Sequence, residues 1–165
     1  MQYRADIDGL RAIAVLPVVA FHAGISGFSG GYVGVDVFFV ISGFLITSII
    51  LEEIRSDRFS LVTFYERRCR RILPALFVVL MTTTVLASIL LIPSQFEEFA
   101  ESLVYTSLFV STFHFSGEPG YFDLSSEFAP LLHTWSLSVE EIFYVVFPVL
   151  MILCFRPSSS RIGRW

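Results

Sequence analysis

Asp8 to Ser48 reads DGLRAIAVLPVVAFHAGISGFSGGYVGVDVFFVISGFLITS, and the character of the whole chain turns on it. Two hydrophobic runs flank a glycine-rich turn, and each carries side chains that lipid excludes: Arg11 and His22 in the first run, Asp36 in the second. Ionisable groups inside membrane segments are costly, so they mark functional positions.

Arg11 and His22 stand eleven residues apart. At about 100° per residue this is about three turns plus some 20°, so on a helix both side chains lie on one stripe, with backbones about 16 Å apart along the axis. Each residue alone has an ordinary reading. A histidine bonds a carbonyl of a neighbouring helix, and an arginine at the end of a span extends its guanidinium to the headgroups. Pro17 removes a backbone donor five residues before His22, which either opens room beside it or is simply tolerated in a membrane helix. Asp36 near the start of the second run either caps that helix or pairs with His22 across the hairpin.

The composition is that of a membrane protein. Mean hydropathy is +0.73, 55% of residues are hydrophobic, and 18 of the 165 are Phe, more than a small aqueous core accommodates. Net charge is −4, and all eleven basic residues are Arg. The acids Asp6 and Asp8 precede the first run and no small-residue cleavage site follows it, so an uncleaved span is expected rather than a signal peptide. Cys69 and Cys154 lack metal-ligand spacing and are expected to be free thiols.

The expected fold is an all-α polytopic bundle of about four transmembrane helices plus an interfacial or extracytoplasmic helix. Span one covers about Leu10–Phe28 and span two about Val33–Leu51, with five glycines between Gly24 and Gly34 serving either a tight hairpin or a substrate-lining loop. Glu52–Arg71 reads as a polar connector whose six arginines place it on the cytoplasmic side. Within it Arg67, Arg70 and Arg71 share a helix face, and forked guanidiniums suit phosphate oxygens. Ile72–Ile92 reads as a plain third span.

From Pro93 to Ser136 there is no basic residue except histidine, so about Pro93–Trp135 is expected outside. Phe99–Phe115 is apolar enough to resemble a span. Letting it cross would put Arg156, Arg161 and Arg164 outside, so it is assigned to the interface. GYFD at Gly120–Asp123 reads as a turn. The last span, about Leu137–Phe155, opens with His133, Trp135, Ser136, Ser138, Glu140 and Glu141. Adjacent acids diverge by about 100°, so at least one of Glu140 and Glu141 faces the bundle. Residues 156–165 form a short basic tail, expected to be cytoplasmic.

The stretch Tyr3–Ser48, the block FYERRCRRILPAL at Phe64–Leu76 and the block HTWSLSVEEIFYVVFP at His133–Pro148 closely resemble the start of the acyltransferase 3 family of integral membrane acyltransferases. The likeness runs from Tyr3 to about Phe155, and it makes residues 1–155 the N-terminal part of such a domain. Members O-acylate cell-surface polysaccharides, including lipopolysaccharide O-antigen, peptidoglycan and nodulation oligosaccharides. The resemblance implies transfer of an acyl group, acetyl first, from a cytoplasmic acyl-CoA to a hydroxyl of an extracytoplasmic glycan. It implies His22 as catalytic, with Asp36 in the VDVFFVISG block and Glu140 in the SVEE block beside it. Arg11 with Arg67, Arg68, Arg70 and Arg71 then form the acyl-donor side. Ile142 departs from the glutamine that commonly follows the paired glutamates.

Topology places His22, Asp36, His133, Glu140 and Glu141 in the outer half of the membrane and the arginines in the inner half. An imidazole suits proton removal from a hydroxyl, and direct transfer and an acyl-histidine intermediate are both compatible with it. No metal and no nucleic acid is expected. The partners are acyl-CoA, a surface polysaccharide or lipid-linked glycan and the bilayer, with a homo-oligomer left open. The expected location is the bacterial inner membrane, both termini cytoplasmic. Two other readings stand beside this one: a truncated, inactive remnant of such an enzyme, and a transporter or proton-relay fragment, which would bury His, Asp and Glu without needing the arginine loop.

Overall fold

The computed structural model describes residues 5–117 and 129–155. Among these the regular elements are helices: α1 (Ala5–His22), a 3-10 turn (Gly31–Val33), α2 (Gly34–Arg55), α3 (Leu61–Leu90), α4 (Pro93–Ser107), α5 (Ser111–Gly117) and α6 (Thr134–Phe155). The GYFD turn and the basic tail lie outside the described residues. The chain divides into two compact units: residues up to Phe59 together with those from Met151, and Ser60–Leu150.

Among the described residues, three segments are long and apolar enough to cross a membrane: Gly31–Arg55, Leu61–Leu90 and Thr134–Phe155. Large side chains such as Val40, Phe44, Val78, Ile89 and Leu153 are exposed along them, as lipid contact requires. The expected span one is corrected. Its helix is α1, 18 residues that include Asp6, Asp8 and Arg11 and end at His22, and residues Ala23–Gly30 form turns instead of continuing to Phe28.

In the first unit α1 packs on α2 through the glycines. A Cβ at Gly31 would lie 2.1 Å from the Pro17 carbonyl oxygen, and one at Gly34 would lie 2.1 Å from that of Ala14. Only hydrogen fits there, which is how the hairpin closes. The glycine-rich segment is therefore a packing device at Gly31 and Gly34. At its near end Gly24 is left-handed, φ +68°. Ile25 N donates to Ala20 O at 3.0 Å and Gly24 N to Phe21 O at 3.0 Å, a Schellman stop for α1.

The polar connector is also corrected. α2 runs on to Arg55 and α3 begins at Leu61, so only residues 56–60 lie between them. Ser60 caps α3, its hydroxyl accepting from Thr63 N at 3.4 Å. The arginines from Arg67 to Arg71 therefore sit on α3 itself, continuous with the apolar span. Thr84 donates back to the Leu80 carbonyl at 2.7 Å, keeping its hydroxyl satisfied within the helix.

In the second unit the predicted interfacial segment Phe99–Phe115 is divided. α4 starts on Pro93, which suits a first helical position, and stops at Phe109, where φ is +57°. Val110 N donates to Tyr105 O at 2.9 Å and Phe109 N to Thr106 O at 3.0 Å, the same stop as at Gly24. Ala87, Phe99 and Leu131 form a buried cluster, with Leu80, Leu91, Phe96 and Leu103 packed around it. At about 25 cal/mol per Å², covering a side chain the size of Phe99 contributes about 2–3 kcal/mol to holding α4 in place.

Candidate active site

Arg11, His22 and Asp36 belong to the first unit, and Arg67, Arg68, Arg70, Arg71 and Glu140 to the second. Arg11 and His22 share the continuous helix α1, as their spacing required. The Arg11 guanidinium carbon lies 5.2 Å from the Phe38 ring centroid and one terminal nitrogen is 3.9 Å from Asp8 Oδ1. Its Nε is buried with no hydrogen-bond partner among the described residues. Phe38, within VDVFFVISG, is thus the seat of the cation.

His22 closes α1 and is exposed. Its Nδ1 lies 2.8 Å from the Val18 carbonyl oxygen. A carbonyl only accepts, so Nδ1 is the donor in this contact and Nε2 is the nitrogen left to act as a base. The ring packs edge-on against Phe21, with centroids 5.2 Å apart. Asp36 lies in the first turn of α2, exposed. It supplies no side-chain cap, since the α2 N-cap is Val33 with no side-chain bond. The ring's Nδ1 bond goes to Val18 and not to Asp36.

In the second unit the arginines split by face. Phe64 and Leu76 are buried, and Arg68 and Ile72 between them are half-buried, four residues apart along one stripe. Arg67, Arg70 and Arg71 are exposed. Arg70 Nη2 reaches Glu66 Oε1 at 2.6 Å, a surface ion pair of about 0.5 kcal/mol at most. Arg68 instead lies over two rings, its guanidinium carbon 5.5 Å from the Phe64 centroid and 5.1 Å from that of Tyr144.

Tyr144 is buried, and its hydroxyl donates to Glu140 Oε1 one turn earlier on α6. Tyr65 Oη donates to the Val145 carbonyl at 3.1 Å, a second tie between α3 and α6. Arg68 also interacts electrostatically with Glu140 and Glu141. The expected division into arginines on one side of the membrane and acids on the other therefore fails for Arg68, which shares a level with the carboxylates. Glu141 lies near the buried stripe of Thr134, Ser138, Tyr144 and Pro148, and its Oε1 is buried with no hydrogen-bond partner among the described residues. Of the adjacent acids, one is thus held by Tyr144 and the other reaches the interior. Sequence reasoning passed over Tyr144, Phe64 and Phe38. The four-residue spacings Phe64 to Arg68 and Glu140 to Tyr144 were the available signal.

Above this cluster, four hydroxyls tie the end of α4 and the start of α5 to α6. Thr134 Oγ1 donates to Leu131 O at 2.7 Å, Thr106 Oγ1 is 3.0 Å from it, and Ser111 Oγ is 3.3 Å away. Ser111 Oγ donates to the Thr134 carbonyl at 3.0 Å, and Ser138 Oγ to the Phe109 carbonyl at 2.7 Å. His114 on α5 stacks on Tyr105, ring centroids 4.7 Å apart.

Residues 4–163 match the protein family described as an acyltransferase domain. The chain belongs to the acyltransferase 3 family. It is 40% identical over 163 residues, 98% of its length, to a Staphylococcus aureus (strain MSSA476) protein provisionally named an O-acetyltransferase. It is 37% identical over 164 residues to a Bacillus subtilis (strain 168) protein provisionally named a peptidoglycan O-acetyltransferase. An uncharacterised Haemophilus influenzae protein is 44% identical over 121 residues, 73% of this chain and 49% of that one. The chain spans 27% of the Staphylococcus protein and 25% of the Bacillus protein, about a quarter of each. No solved structure matches it.

Proposed function

We propose that this chain is the N-terminal part of a membrane-embedded O-acetyltransferase that moves an acetyl group from a cytoplasmic acyl-CoA to a hydroxyl of an extracytoplasmic glycan. Family membership supports the reaction class, and the Bacillus relative's name favours a cell-wall glycan among the acceptors. The observation that carries the assignment of a base is the 2.8 Å contact of His22 Nδ1 with the Val18 carbonyl. It directs Nδ1 to the backbone and leaves Nε2 as the nitrogen to take the hydroxyl proton. The hydroxyl oxygen then attacks the thioester carbonyl, the thiolate leaves, and the proton held on Nε2 is available to it.

Arg67, Arg70 and Arg71 form the exposed face suited to the phosphates of coenzyme A. Arg11, seated on Phe38, supplies a fixed cation on the helix of His22. Asp36 in the first unit and Glu140 in the second are the candidate carboxylates. The protein lies in the bacterial inner membrane with both termini cytoplasmic, as the eleven arginines favour.

The test is transfer of labelled acetyl from acetyl-CoA to surface polysaccharide in membranes that contain the protein, beside its His22→Ala variant. Label with the native histidine and a loss of about a hundredfold or more with alanine is the expected result for removal of a general base. Equal label in both would remove His22 from the chemistry, and protection of the α3 arginines from a dicarbonyl reagent by coenzyme A checks the donor side separately.

A further inference from the structure

Among the arginines of α3, Arg68 alone is half-buried and lies over two rings, and one of those rings belongs to the tyrosine that holds Glu140. We propose that Tyr144 is a positioning residue for Glu140, steadied through its ring by Arg68, so that Arg68 serves the carboxylate's seat and not the acyl donor. The role given to Glu140 rests on the acyl-transfer reading above. The seat itself rests on geometry alone.

A carboxylate on a helix has free rotation about its side-chain torsions, and each hydrogen bond it accepts removes part of that freedom. Tyr144 lies four residues from Glu140 on α6, so its hydroxyl meets the carboxylate on one face of the helix. The phenol ring is buried, and its face carries the guanidinium of Arg68, which also lies over the Phe64 ring. A cation over two aromatic faces is held by their quadrupoles. Tyr65, donating to the Val145 carbonyl, fixes the register of α3 against α6 at the same level. The carboxylate is thus held by Tyr144 from its own helix, and behind Tyr144 stand Arg68 over its ring, Phe64 under the same guanidinium and Tyr65 on the next backbone carbonyl. A guanidinium covering a buried tyrosine ring in this way is poorly placed to meet a phosphate, while Arg67, Arg70 and Arg71 are exposed.

Tyr144→Phe keeps the ring under Arg68 and removes only the hydroxyl. Initial rates of acetyl transfer, measured against acetyl-CoA concentration and across pH in membranes containing the protein, are expected to show kcat lowered about tenfold, the worth of one hydrogen bond to a charged group. The KM for acetyl-CoA should not move, and the pH profile should change as it does in Glu140→Gln. Adding Glu140→Gln to Tyr144→Phe should lower kcat no further than Glu140→Gln alone. An unchanged kcat and pH profile in Tyr144→Phe overturns the proposal, as does a raised KM with kcat intact, which would place Tyr144 on the donor side.

Binding of labelled coenzyme A provides the second arm: Arg68→Lys should bind as the native protein does, and equal weakening by Arg68→Lys and Arg71→Lys overturns the reassignment of Arg68. If the native protein transfers no label, the acyl-transfer reading fails separately. The seat is then decided by thermal unfolding in detergent, where coupling between Tyr144→Phe and Glu140→Gln supports it and strict additivity overturns it.

Discussion

α1 and α4 end on the same hydrogen-bond pattern with opposite means. At Gly24 the left-handed residue is a glycine with nothing within 4 Å of an added Cβ, so the stop stands on local backbone alone. At Phe109 the same conformation is imposed on a bulky side chain, which costs about 1–2 kcal/mol. That cost is met by surroundings: Ser138 donates to the Phe109 carbonyl, and Thr106, Ser111 and Thr134 bond one another across the corner. One turn is written in its own residues. The other exists because buried hydroxyls twenty to thirty residues away need partners.

Variants separate the two kinds of turn. The largest effect is expected from Gly34→Ala, where the new methyl carbon would meet the Ala14 carbonyl oxygen at 2.1 Å. Backbone cannot move aside as a side chain does, so the α1–α2 hairpin should lose about 3 kcal/mol or more. Gly30→Ala, with open space around it, should change stability by less than about 0.5 kcal/mol. Thermal unfolding in detergent distinguishes them, and equal midpoints would mean the close approach is not what closes the hairpin.

Next comes Thr134→Val, which removes the hydroxyl on which Thr106 and Ser111 converge. Leaving buried hydroxyls without their partner should cost about 2 kcal/mol, and hydrogen exchange should rise in residues 106–111 before it rises elsewhere. Uniform exchange would show that the network does not hold Phe109. The smallest effects come in opposite directions at the two simpler stops. Gly24→Ala should destabilise by about 1 kcal/mol, because alanine resists φ +68°. Asp57→Gly, at the left-handed residue after α2 with φ +52°, should stabilise by about 0.5 kcal/mol. The same sign for both would separate these stops from backbone conformation.

The difference between local and distant causes also explains what could be read from the residues. The apolar runs of α2, α3 and α6 and the arginine–histidine stripe of α1 are local, and they lie on helices as expected. The end of α1 at His22 was missed because the apolar run continues through Ile25 and Phe28, while hydrophobicity alone carries no stop signal. Gly24 did carry one. The extension of α3 back to Leu61 was hidden by its arginines, which read as a loop although arginine is a good helix former. His22 and Glu140 are candidates by motif alone. Tyr144 and the separate placement of Arg68 depend on how α3 meets α6, a pairing no window along one helix contains. The split of Phe99–Phe115 lay beyond reach for the same reason, since phenylalanine is among the last residues a left-handed turn would suggest.

α3 has 30 residues, which at about 1.5 Å each makes a rod about 45 Å long. A bilayer's hydrocarbon is about 30 Å thick, so some 15 Å of that rod must lean over or stand clear of it. The outward guanidiniums of Arg67, Arg70 and Arg71 are mounted on the first turns of this rod, with Pro74, inside the helix, between them and the apolar turns below. An anion arriving there meets charges already arrayed and orders no loop on binding. Any tilt that seating it produces reaches the far end of the helix through Pro74, where the ladder lacks one backbone donor.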